Sequence, residues 1–345
     1  MKITFAGTPQ FGALVLGALA ASRHEIVLVL TQPDRPAGRG RELRMSPVKQ
    51  LALARGLHVE QPERISTAEF VRHMQSLGVE ALTVAAFGQI LKPVLLDAMP
   101  CINMHGSLLP RYRGAAPVER AIMDGEKETG VSIMKIVPAL DSGDVYLRRA
   151  VTIREDDDAG SVYEKLAGAG GEALVEVLDS LEAGTLEGEP QDESQVTYAE
   201  KIAPGDRAID WSRPARDIFN QVRALSPHIG AYTNAAGQRL KVWKVALAAS
   251  REAPAVPGGG GAVTECAAES GEEPAVEAGK MPAAESGEEA SAAPGSVTIE
   301  GERLFVRTGT GLVEILLLQP EGKRRITAAE FLRGYRQLLD GGRLG

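Results

Sequence analysis

Three polar side chains stand out by type and spacing. Asn103 and His105 lie in the run Cys101-Ile-Asn103-Met-His105-Gly-Ser107-Leu-Leu-Pro110-Arg-Tyr-Arg-Gly114, and Asp141 lies in Leu140-Asp141-Ser142-Gly143-Asp144. Asn103 and His105 occupy alternate positions of an apolar stretch that reads as a strand, so both face one side of a sheet. An asparagine amide is a neutral donor to an oxyanion, and a histidine is a donor, acid or base near neutral pH. A carboxylate beside the histidine favours its charged form. The trio suits acyl transfer through a tetrahedral intermediate, without a covalent enzyme adduct. No Gly-x-Ser-x-Gly elbow is present, and Cys101 falls inside a predicted buried strand, so an activated nucleophile is not expected. One Asn, one His and one Asp make a poor metal site, because His24, His58, His73 and His228 lie in unrelated contexts, and no metal is expected. Spacing alone leaves structural roles open: a histidine at a strand end, an aspartate in a turn, an asparagine tying down its loop.

The elements that must position these residues follow a repeating pattern. Short apolar runs at 2–5, 26–30, 81–85 and 101–104 alternate with helical periodicity at 10–22 and 47–55, which predicts a mostly parallel sheet with crossover helices. Ser46-Pro47 is an N-cap followed by proline at the first helical position, and Ser66 is expected to cap a further helix. Strands are also expected at 131–136 and 145–153, and a long helix at 161–182. The end of strand 101–104 is the edge at which open α/β sheets bind ligands, and the turn with Asp141 can reach the same edge.

A polar, Gly- and Glu-rich stretch at 183–206 reads as a connector. Beyond it the pattern becomes a short helix at 215–224, β-rich segments at 230–233, 240–248, 297–299, 303–308 and 311–318, and a last helix at 327–339. Short strands with glycine turns fit a small barrel. Residues 251–296 break that pattern: they hold no aromatic, Leu or Ile, and they repeat Ala-Ala-Glu-Ser-Gly-Glu-Glu at 267–273 and 283–289. Such a segment lacks the apolar surface to offset its ordering entropy, and a disordered acidic insertion is expected.

The net charge of −8 conceals an asymmetry. Residues 1–206 carry −8 and residues 251–296 carry −7, whereas 207–250 together with 297–345 carry +7. The second region can therefore meet an anionic partner despite a chain pI of about 5.4. The segment from Asp34 to Arg44 adds Arg35, Arg39, Arg41 and Arg44, with Gly38 and Gly40 among them. Arginines in this density suit phosphate and base-edge contacts, although a solvated loop has the same composition. Gly7-Thr8-Pro9-Gln10-Phe11-Gly12 lacks the second glycine of Gly-x-Gly-x-x-Gly, which argues against a nicotinamide cofactor. Two unpaired cysteine contexts and no apolar run of about 20 residues point to the cytoplasm.

Asn103-x-His105-x-Ser107-Leu-Leu-Pro110 with Asp141-x-Gly143 resembles the folate-dependent formyltransferase family. The resemblance runs from Met1 to near the C-terminus and is closest to those members that act on methionyl-tRNA. It is carried further by Phe5-Ala-Gly-Thr-Pro9, Thr31-Gln-Pro-Asp-Arg-Pro-Ala-Gly-Arg-Gly40, Arg111-Tyr-Arg-Gly-Ala-Ala-Pro117, Thr197-Tyr-Ala-Glu-Lys201, Asp210-Trp211 and Lys241-Val-Trp-Lys244. It implies a Rossmann-like α/β catalytic domain over 1–189, a linker over 190–206 and an OB-like β-barrel over 207–345 that the insertion interrupts. It implies transfer of the formyl group of 10-formyltetrahydrofolate, as co-substrate, to the amine of initiator methionyl-tRNA by a monomer, with Asn103, His105 and Asp141 catalytic. Ser107, Leu108, Leu109 and Pro110 would contact the folate, whose pterin would enter a pocket edged by residues 84–91 and 137–141. Arg39 matches the key arginine of a loop that wedges into tRNA, with Arg35 and Arg41 beside it, and Lys241, Lys244, Lys323 and Arg324 would meet tRNA from the barrel. Two relatives in chemistry stand as alternatives: an amino-sugar nucleotide formyltransferase and a 10-formyltetrahydrofolate hydrolase. A tRNA-binding protein with a dead site is a third, but all three catalytic residues are present.

Overall fold

The first strand, β1 (Lys2–Gly7), is buried from Ile3 to Ala6, as a strand covered on both faces must be. The computed structural model describes residues 1–37, 42–248 and 293–345. From β1 the chain runs through α1 (Gln10–Leu19), β2 (Glu25–Leu30), β3 (Arg35–Ala37), β4 (Glu42–Arg44), α2 (Pro47–Ala54) and β5 (Val59–Glu60). It continues as α3 (Ala68–Ser76), β6 (Ala81–Ala85), α4 (Pro93–Leu96), β7 (Cys101–His105), β8 (Arg113–Gly114) and α5 (Pro117–Met123). Then come β9 (Glu128–Lys135), β10 (Val145–Thr152), α6 (Ala159–Ala183) and β11 (Tyr198–Ala199).

Seven of these strands form one sheet in the order β10-β9-β7-β6-β1-β2-β5. All pairs from β7 to β5 are parallel, while β7–β9 and β9–β10 are antiparallel, so the sheet is mostly parallel as expected. Alternation along β1 divides the core. Ile3 and Phe5 pack toward α1 and α6, and Ala6 joins the cluster under α3 and α4 on the other face. Ser46 caps α2 by accepting from Lys49 N, with Pro47 beginning the helix. The cap of α3 is not Ser66 but Thr67, whose Oγ1 accepts from Phe70 N. Ser66 Oγ instead accepts from Lys92 N at 3.0 Å, so a contact to a distant loop decides which hydroxyl is free to cap. Helix α6 opens with a capping box between Asp158 and Ser161 and ends on Gly184 at φ +71°.

The second region comprises α7 (Ala215–Ala224), β12 (Ala231–Ala235), β13 (Gln238–Ala248), β14 (Val297–Glu300), β15 (Arg303–Arg307), β16 (Leu312–Pro320), β17 (Ile326–Thr327) and α8 (Ala328–Tyr335). Its antiparallel sheet runs β12-β13-β16-β15-β14, with β17 on β16, around a core that includes Trp211, Val242, Ile315 and Phe331. The two ends of this sheet do not pair with each other. The last residues lie between them instead: Leu344 N donates to Gly295 O at 2.8 Å, and Gly345 N to Asn234 O at 3.1 Å. Residues 251–292 of the expected insertion lie outside the described residues. Its expected last four residues belong to the fold, a correction of the boundary: Gly295 N donates to Arg307 O, which carries the ladder of β14 and β15 one step further.

The expected connector is more than a spacer. Glu189 and Val145 exchange backbone hydrogen bonds at 2.9 Å, and β11 pairs in parallel with β8. Among the described residues, no helix is long and apolar enough to cross a membrane.

Candidate active site

Strand β7 ends on His105, which is buried, and shares its outward face with Asn103. The turn between β9 and β10 brings Asp141 to the same edge. His105 Nε2 lies 2.9 Å from Tyr112 O. A carbonyl can only accept, so Nε2 carries the hydrogen and Nδ1 is the nitrogen that gains or loses a proton. Asp141 Oδ2 lies 3.7 Å from Nδ1 and accepts from Gly114 N at 2.8 Å. The Asn103 amide is half-buried and has no hydrogen-bond partner among the described residues.

All three side chains open on one cavity of about 660 Å³. Residues 86–91 beyond β6 form one rim and residues 137–141 form the other, the two edges expected from the sequence. Each rim carries an exposed aliphatic side chain, Ile90 at 86% and Leu140 at 61% exposure. On the wall, Tyr163 packs against Phe11 with ring centroids 5.4 Å apart, and its hydroxyl donates to Glu119 Oε2 at 3.0 Å. Burial of Glu119 pushes its carboxyl above the usual range.

Ser107, Leu108, Leu109 and Pro110, expected to contact the folate, are not among the residues that line this cavity. Ser107 is fully buried and its hydroxyl donates to Arg111 O at 2.6 Å. Ser132 Oγ donates to Ser107 O and accepts from Leu109 N, and Leu109 packs on Met134 and Val145. These residues hold the turn after β7 against β9. The motif's glycine, Gly106, lines the cavity beside His105. Cys101 is a free thiol that burial pushes up to about 12, inert as a nucleophile.

The residues expected to meet an anionic partner are scattered. Arg35 is exposed on the β3–β4 hairpin, while Arg39 and Arg41 lie outside the described residues. Lys244 and Lys323 are exposed. Lys241 is half-buried: its Nζ donates to Ile229 O at 3.1 Å, and burial and neighbouring Arg207, Arg325 and Arg239 lower its pKa. Arg324 pairs with Glu330 at 3.2 Å. The group His24, Asp179 and Glu182 could in principle ligate a metal, but it lies at the opposite end of the sheet, and Arg23 already bridges both carboxylates.

Residues 1–178 match the formyl transferase family model, and residues 201–336 match that of the formyl transferase C-terminal domain. The methionyl-tRNA formyltransferase of Heliobacterium modesticaldum is 41% identical over 339 residues, covering 97% of this chain and 98% of its own. That of Methylococcus capsulatus is 41% identical over 347 residues, covering 100% of both. The chain belongs to the methionyl-tRNA formyltransferase family. Among solved structures, HypX from Aquifex aeolicus in complex with tetrahydrofolic acid superposes with a TM-score of 0.63 at 16% identity. That match covers 99% of this formyltransferase and 48% of HypX, so the chain spans about half of that longer protein. A Helicobacter canadensis N-formyltransferase in complex with folinic acid and dTDP-3-aminofucose gives 0.58 at 15% identity, covering 94% and 100%. At these identities the likeness is one of fold.

Several groups in the formyltransferase site had no signal in residue type or periodicity. The Tyr112 carbonyl and the Gly114 amide are backbone groups, and only the turn geometry shows which side chain they meet. Gln191 sits in a polar stretch that reads as linker, yet its side chain reaches the Asp141 turn.

Proposed function

We propose that this formyltransferase moves the formyl group of 10-formyltetrahydrofolate to the α-amine of methionyl-initiator tRNA. The observation that carries this reading is the convergence of Asn103, His105 and Asp141 on one cavity, in a chain related over its whole length to methionyl-tRNA formyltransferases. The folate ring system would enter between the rims at 86–91 and 137–141. The amine attacks the formyl carbon, the carbonyl oxygen becomes an oxyanion, and the carbon–N10 bond breaks as N10 takes up a proton.

The chain's own groups divide this work. With Nε2–H tied to Tyr112 O, charged His105 presents Nδ1–H, and the unpartnered Asn103 amide supplies a second donor to the oxyanion. Asp141, 3.7 Å from Nδ1, accepts, through a water, the proton that the attacking amine gives up. The Gly114 amide fixes the Asp141 oxygen that faces the histidine. Arg35, Arg39 and Arg41 would grip the acceptor end of the tRNA, and the basic second region would meet its phosphates, with Lys244 and Lys323 the most accessible. The protein would act as a cytoplasmic monomer.

The test is a formylation assay with methionyl-initiator tRNA and 10-formyltetrahydrofolate, run beside an amino-sugar nucleotide and water as competing acceptors. Turnover on the tRNA alone, lost in His105→Ala and weakened at the level of tRNA KM in Arg39→Ala, is the expected result. Full activity on the amino sugar would overturn the acceptor assignment.

A further inference from the structure

We infer that Gln191 is a positioning residue that sets the direction of the Asp141 carboxylate, and that the connector is therefore part of the catalytic apparatus. The inference rests on Asp141 being catalytic. Asp141 has φ +45°, a left-handed conformation that side chains with a Cβ adopt uncommonly. Such a conformation persists only where neighbours hold it. The Gln191 side-chain amide does so by donating to two carbonyls of the turn at once, Asp141 O and Gly143 O, each at 2.8 Å. Gly143 has to be glycine for the turn to lie this close, since a Cβ there would come within 2.0 Å of Lys135 O.

Gln191 is itself held. Its Oε1 accepts from Arg113 Nε at 3.1 Å and Nη2 at 2.9 Å, and that guanidinium is almost fully buried. Glu193, two residues on, closes the other side of the same guanidinium at 2.8 Å. The hydrogen-bond polarity selects glutamine. Arg113 requires an acceptor, the two carbonyls require donors, and among side chains of this length only the amide of Gln offers both.

The Asp141 carboxylate is held through the same connector, indirectly. Arg113 and Gly114 pair with Tyr198 and Ala199, and Ala115 N donates to Ala199 O at 2.9 Å. That pairing places the Gly114 amide that binds Asp141 Oδ2. A Cβ on Gly114 would stand 2.6 Å from Ala199 O, so the pairing needs glycine there as well. Residues 191–199 thus hold Asp141 from its backbone through Gln191 and from its carboxylate through Gly114. The carboxylate needs both holds to remain aimed at His105 Nδ1.

The experiment uses the full-length enzyme and varies methionyl-tRNA and 10-formyltetrahydrofolate in turn, each with the other saturating. It compares wild type with Gln191→Ala, Gln191→Met, Gln191→Glu, Asp141→Asn and the Asp141→Asn/Gln191→Ala double variant. Loss of the amide should lower kcat about tenfold to a hundredfold while both KM values stay within about threefold. Gln191→Glu, which keeps the acceptor for Arg113 but sets a carboxylate against two carbonyls, should fall at least as far as Gln191→Ala. Because Gln191 acts through Asp141, its loss should slow Asp141→Asn by no more than about twofold. Gln191→Met preserves the volume of the side chain, and its thermal unfolding separates lost aim from lost folding. Two results overturn the inference: kcat within about twofold of wild type in folded Gln191→Ala and Gln191→Met, or losses that multiply in the double variant. If Asp141→Asn itself turns over at the wild-type rate, the catalytic reading of Asp141 fails first, and that outcome is distinct from the other two.

Discussion

The two sheets of this formyltransferase handle polar groups in opposite ways. At the edge of the first, His105 and Asp141 meet each other and two backbone groups, Tyr112 O and Gly114 N, in fixed directions, with Asn103 facing the same cavity. On the second, cations lie over aromatic rings: Arg325 stands 3.4 Å from the Trp243 centroid, Arg239 4.4 Å from Tyr232 and Arg303 4.7 Å from Phe305. The first region carries net negative charge and the second, outside residues 251–296, net positive charge. A reaction needs a few groups in fixed geometry, because transition-state stabilisation falls steeply with misplacement. Holding a polyanion needs many cations, each of them replaceable, because the gain comes from the sum of phosphate contacts.

That contrast can be broken at either end. The largest effect belongs to His105→Ala, for which kcat should fall roughly a hundredfold to ten-thousandfold with tRNA affinity unchanged, as single-turnover and filter-binding measurements would show. An equal loss of affinity would mean that the site also grips the acceptor. Next, Phe331→Ala removes a fully buried ring from the second core and should cost about 3–5 kcal/mol of stability in thermal or denaturant unfolding. Its kcat, measured well below the transition, should match wild type.

A smaller change is expected from Lys244→Ala combined with Lys323→Ala. Binding of tRNA should weaken for every sequence alike, and the slope of log affinity against log salt should shrink by about two. An unchanged slope would take both lysines out of the interface. The smallest effect is at the seam between the regions, where Arg120 on α5 pairs with Asp206 at 2.7 Å. The Arg120 guanidinium holds the Asp206 carboxyl below its usual value of 3.8. A depressed carboxyl contributes stability above its unfolded pKa and loses it as pH falls through the lower folded value. Asp206→Asn should therefore cost under about 1 kcal/mol at pH 7, since the pair is partly exposed, and the difference from wild type should vanish in acid unfolding.

Much of this architecture was legible from one-dimensional patterns. Ile26 to Leu30 could only be a buried parallel strand, Ser46-Pro47 marked a helix start, and alternation placed Asn103 and His105 on one face. Ser66 and Thr67 show where such patterns end: both hydroxyls suit a cap, and a loop 26 residues away engages one of them. Ser107 to Pro110 show it again. Their motif marks the site, yet their side chains brace the turn behind the cavity.

By itself, then, the sequence determined the element types, the mostly parallel sheet, the candidate site side chains and the partition of charge along the chain. These depend on residue chemistry and on periods of two or 3.6 residues, which are local properties. Only the tertiary structure decided that Nδ1 of His105 faces Asp141, that Gly114 lends its amide to that carboxylate, and that Gln191, 50 residues away, holds its turn. Those partners are backbone groups or distant polar residues without a period, and the fold alone brings them together.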